Sequence, residues 1–108
     1  METPKHEGTP ISISGVEYIV PPLSFKQFKA LREDVMKLDT GDVASSEEQQ
    51  GVVLRIVHAA LSRNYPDLTL DQVEDMLDLG NIHEIVKAIV GVNQLKKSME
   101  LTANPGKN

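Results

Sequence analysis

Apolar residues recur at three- and four-residue steps in four separate blocks of this chain, and that spacing constrains the fold more than any other feature. An α-helix turns once in about 3.6 residues, so such a repeat lays one greasy stripe along one side. Phe25, Phe28, Leu31, Val35 and Leu38 form the first stripe and predict a helix over 25–38, opened by Ser24 with Gln27 at capping-box spacing. Its polar face is a mixed set: Lys26, Lys29, Arg32, Glu33, Asp34 and Lys37. After a polar break, a serine cap with Glu48 or Gln49 three residues on predicts a second helix over 46–63. Val52, Val53, Leu54, Ile56, Val57, Ala59, Ala60 and Leu61 cover far more than one stripe there, so this helix is expected to be central.

Thr69 with Gln72 repeats the cap spacing ahead of Leu70, Val73, Met76 and Leu77, predicting a third helix over 70–78 with Gly80 as a left-handed stop. Asn81 with Glu84 is read as the cap of a fourth, striped by Ile82, Ile85, Val86, Ile89 and Val90. Beyond Gly91 the spacing weakens through Val92, Leu95 and Met99.

Upstream of the first helix the period changes to two. Ile11 and Ile13, then Val16, Tyr18 and Val20, alternate with Ser12, Glu17 and Ile19 around Ser14-Gly15, which predicts a short β-hairpin closed by Pro21-Pro22. Residues 1–10 hold two prolines and a glycine with almost nothing apolar, and are expected to be a flexible leader. The expected architecture is mainly α: an N-terminal hairpin on about four helices in one domain over 11–92, followed by a frayed or disordered tail over 93–108.

Composition narrows the function. A folded chain of 108 residues buries about 60–65% of its extended surface, enough for one core. No stretch approaches the roughly 18–20 apolar residues of a membrane span, and the N-terminus lacks the order of a secretion signal, so a soluble cytoplasmic protein is expected. There is no cysteine and no tryptophan, which removes disulfides, thiolate chemistry and cysteine metal sites and leaves only Tyr18, Phe25, Phe28 and Tyr65 for stacking.

Sites of reaction are hard to find in the residue pattern. His83-Glu84 opens like a helical zinc motif, but the second ligand position is Lys87. His6 and His58 have no histidine partner at helical spacing. Neither a metal nor a cofactor is expected, and neither is enzymatic activity. Asp71, Glu74, Asp75 and Asp78 crowd the third helix with no lysine or arginine among them. Most simply they are a solvated face; functionally they are candidates for electrostatic docking of a basic partner. The third and fourth helices have the length and turn of a DNA-reading pair, but eleven basic side chains against sixteen acidic ones, with Lys87 alone on the reading helix, argue against a polyanion.

The hairpin 11–20 (Ile-Ser-Ile-Ser-Gly-Val-Glu-Tyr-Ile-Val) running into Pro-Pro-Leu and then the first helix, and the block 60–81 followed by Ile-Val-Lys-Ala-Ile-Val-Gly-Val at 85–92, resemble the tail assembly chaperones of long-tailed bacteriophages. These blocks span a little over half of the chain. The resemblance implies a protein that binds the long helical tape measure protein in the host cytoplasm, keeps it soluble, and departs as tail tube subunits assemble, so that it is absent from the mature virion. It also implies partners (the tape measure protein, then tail tube subunits, with room for a homo-oligomer) and no role for membrane or nucleic acid. A longer frameshifted product is common in that family, and Gly106-Lys107 or Lys96-Lys97 could be encoded by a slippery run.

A chaperone of this kind needs an exposed apolar strip, for which Phe25, Phe28, Val92 and Leu95 are the candidates. Two alternatives stand beside it. One is a structural tail or head-tail joining component retained in the virion; the other is a small acidic regulatory protein that docks through its acidic helix.

Overall fold

A computed structural model describes residues 6–38 and 45–90. It is mainly helical, with an N-terminal antiparallel hairpin, as the residue periods predict. Strand β1 (Thr9–Ile13) pairs with β2 (Val16–Val20) in the register Ile11 to Tyr18 and Ile13 to Val16. Ser14 and Gly15 both take positive φ, 53° and 81°, the combination a two-residue turn needs to follow the twist of its strands. Ile11, Ile13 and Val20 are buried and Tyr18 is half-buried, but Val16, next to the turn, is exposed.

Part of the expected leader belongs to the fold. The strand starts at Thr9, two residues before the predicted hairpin, and the His6 backbone exchanges hydrogen bonds with the Asn64 side chain. Polar composition hid this, because the anchor is a single buried amide 58 residues away.

The predicted first helix is two. Helix α1 (Phe25–Ala30) and α2 (Arg32–Lys37) meet at Leu31, whose backbone (φ −106°, ψ 19°) leaves helical geometry. Hydrogen bonds still pass through the joint, from Leu31 N–H to the Gln27 carbonyl and from Val35 N–H to the Leu31 carbonyl. The apolar stripe survives on both sides, so its period could not reveal the bend. Anchors on either side of Leu31 hold each half separately: Gln27 Nε2 donates to the Ala59 carbonyl, and Asp34 takes two hydrogen bonds from Arg55.

Both anchors lie on α3 (Glu47–Ser62), the expected central helix, which packs against α2, α4, α5 and β2. Val52, Val53, Ile56, Val57, Ala60 and Leu61 are its buried contribution to the core. Its cap is Ser46, which accepts from Gln49 N–H. Helix α4 (Leu70–Met76) carries the predicted Thr69–Gln72 capping box but stops two residues early, in extended backbone at Leu77. Gly80 does not take positive φ, so the left-handed stop expected there is absent. Helix α5 (Ile82–Val90) buries Ile82, Ile85, Val86, Ile89 and Val90 against α3 and the hairpin. No helix among the described residues is long and apolar enough to cross a membrane.

Candidate functional site

The segment between α4 and α5 is short, polar and locked. Asp78 Oδ1 accepts from the N–H groups of Gly80 (2.7 Å) and Asn81 (2.8 Å), while Asn81 Oδ1 accepts from Asp78 N–H (2.9 Å). Asn81 Nδ2 donates back to the Met76 carbonyl at 3.0 Å. The expected Asn81–Glu84 cap is thus replaced by a reciprocal Asp78–Asn81 clasp, because Asn81 is turned back toward the end of α4. One side chain stands at the apex of this turn. That side chain is Leu79, 80% exposed.

Leu79 stands at the rim of a groove of about 360 Å³ where α3, α4 and α5 meet. Val53, Leu54, Leu77 and Ile82 supply apolar lining, Gln50 a polar one, and Glu74 and Asp78 an acidic edge. Among the described residues no lysine or arginine lines it. Asp71, Glu74 and Asp75 are exposed and share the outward face of α4, and Asp78 is exposed in the turn just beyond its end, so the acidic edge runs on from that face. In chemical terms this is a small apolar trough beside negative charge, of a size to receive side chains.

A second apolar surface lies on α1 and α2. Phe25 is 78% exposed and Met36 64%, and the Lys29 ammonium sits 5.6 Å from the Phe25 ring centroid. Lys26, Lys29 and Arg32 are exposed on the same two helices, together with Glu33. Phe28, by contrast, is half-buried and packed on the core, so the two phenylalanines proposed as one strip are divided, one out and one in. Val92 and Leu95, the other two proposed contact residues, lie outside the described residues, as do Lys96-Lys97 and Gly106-Lys107.

Sequence reasoning missed Leu79 and Met36. Leu79 interrupts Asp78 and Gly80, a break with no periodic partner, and an unpaired leucine in a turn is the signal that could have singled it out. Met36 falls between the apolar positions Val35 and Leu38 and was hidden by them.

The remaining polar features have structural partners. His58 lies within hydrogen-bond distance of the Leu68 carbonyl (3.0 Å), joining α3 to the loop before α4. A second concavity of about 320 Å³ beside Tyr18, Asn64 and Tyr65 is bounded by groups already bonded: the Tyr65 hydroxyl accepts from Ile19 N–H at 2.8 Å, and the tyrosine rings meet edge-on at 5.2 Å. The Arg55 guanidinium grips Asp34 at 2.8 and 2.9 Å and holds its carboxyl below the usual value. Among the described residues no three histidine or carboxylate side chains gather as metal ligands would. Comparison with known families, with curated proteins and with solved structures finds no match to this chain.

Proposed function

We propose that this chain is a tail assembly chaperone of a long-tailed bacteriophage, which binds the tape measure protein through apolar contacts, keeps it soluble in the host cytoplasm and is released as the tail tube assembles. Two things support the reading: the resemblance of blocks 11–38, 60–81 and 85–92 to that family, and one feature of the surface. The feature is Leu79, held in water by a clasped turn at the lip of an apolar groove.

A clasp of two side chains and four hydrogen bonds fixes the backbone on both sides of the exposed leucine, so a partner that covers it buries apolar area without reordering the turn. A long helical client presents such covers in series, and the surrounding charge keeps the unloaded chaperone dispersed and the contact reversible. The function is therefore binding, with the groove as receptor for client side chains.

Coexpression with the long helical protein encoded nearby tests the proposal. The client should move from the insoluble to the soluble fraction and copurify with this chain. A client that stays insoluble at a matched or higher level of this chain overturns it. Mass spectrometry of purified particles separates the chaperone from a tail or head-tail component: peptides of this chain should be missing from virions, whereas a structural part would be present at a fixed ratio.

A further inference from the structure

The groove's charge says more than its apolar floor does. Its acidic edge is formed by Glu74 and Asp78, Asp71 and Asp75 extend the negative charge along α4, and among the described residues the remaining polar lining is the uncharged Gln50. At about 360 Å³ the groove takes one or two large side chains, so a partner helix must lay its backbone and flanking residues across the rim, directly over these carboxylates. An acidic neighbour there is repelled, and a basic one is attracted.

We propose that the groove selects helices whose apolar anchor residues are flanked by lysine or arginine, so that the acidic face of α4 chooses which segment of a helical client is held. This rests on the reading of the groove as a helix receptor, and it adds the chemistry of the segment. Like charges at the rim reject acidic amphipathic helices that carry the same apolar stripe, which gives discrimination that greasy contact alone lacks.

Two synthetic helical peptides with one shared apolar stripe, the first flanked by lysines and the second by glutamates, provide the probes. Their affinities for the full chain are measured by fluorescence anisotropy at low and at 0.5 M salt. The lysine peptide should bind at least about tenfold tighter at low salt, with the gap narrowing as salt screens the rim. The double variant Glu74→Lys/Asp75→Lys should abolish or invert the preference. It leaves the Asp78–Asn81 clasp intact, and an unchanged circular dichroism spectrum and melting temperature confirm that the fold is kept.

Equal affinity of the two peptides, or a preference untouched by the double variant, overturns the charge selection while leaving helix binding in place. Failure of both peptides to bind removes the helix receptor and the selection with it. The chain itself carries an apolar surface with lysines beside Phe25, so sedimentation of the peptide-free protein completes the test. If Leu79→Asp dissolves a self-associated form but leaves peptide affinity unchanged, the occupant is a second copy and the proposal falls.

Discussion

At Asn64 a single side-chain amide joins three parts of the chain. Its Oδ1 accepts from His6 N–H, and its Nδ2 donates to the carbonyls of His6 and Ile19. It is the one buried polar residue among those described, and a buried amide is tolerated because each of its groups is bonded. Asn64→Ala should therefore cost about 1–3 kcal/mol, read as a lower urea midpoint at unchanged slope. The Asp34–Arg55 pair is worth less, because Arg55 is half in water: about 0.5–1 kcal/mol. Its pH dependence has a definite sign. Arg55 lowers the Asp34 pKa below its ordinary 3.8, so the pair's contribution is complete above that value and is lost as pH falls through the lower, folded one. The stability gap between the native chain and Asp34→Asn should be flat above about pH 5 and close in stronger acid. Phe25 and Phe28 make a matched contrast. Phe28→Asp places a charge against the core and should cost about 3 kcal/mol or more, whereas Phe25→Asp, in solvent, should stay within about 0.5 kcal/mol of the native stability.

Elements formed where capping and period agreed, and ended where distant contacts intervened. The caps at Ser24, Ser46 and Thr69 were all legible, since each is a bond between residues three apart. The bend at Leu31 and the early end of α4 were not, because the groups responsible lie on α3 or across the turn at Asn81. The same holds at the start of β1. Gly8 lies so close to the Val20 carbonyl and Pro21 that a Cβ would overlap backbone atoms, a requirement invisible until the strands are paired. Gly8→Ala should push the chain away from β2 and destabilise the domain by about 1–3 kcal/mol, with the loss of amide exchange protection concentrated in the hairpin.

Taken as a whole, the molecule sets two unlike surfaces on opposite sides of α3. Glu48, Arg55 and Ala59 meet α1 and α2, while Gln50, Val53 and Leu54 face the groove. At 100° per residue these sets lie roughly half a turn apart. One side has lysines beside Phe25, the other carboxylates beside Leu79. Binding through the groove thus leaves the Phe25 side uncovered. Leu79→Asp should keep the native melting temperature to within about 2 °C, as an exposed substitution does, yet should cancel solubilisation of the coexpressed client. A variant as active as the native chain would show that the groove is not the receptor.

Residue order by itself determined the hairpin, the helical stripes, the centrality of α3 and the serine and threonine caps. Each is set by bonds and side-chain directions within about four residues along the chain, or by how much of one helix is apolar. Tertiary structure alone decided that Phe28 turns inward and Phe25 outward, that the first stripe bends at Leu31, and that Leu79 is left in water beside a groove. Exposure is a property of what some distant segment covers, and the core that receives Phe28 includes residues of α3, a helix that begins 19 residues further along the chain.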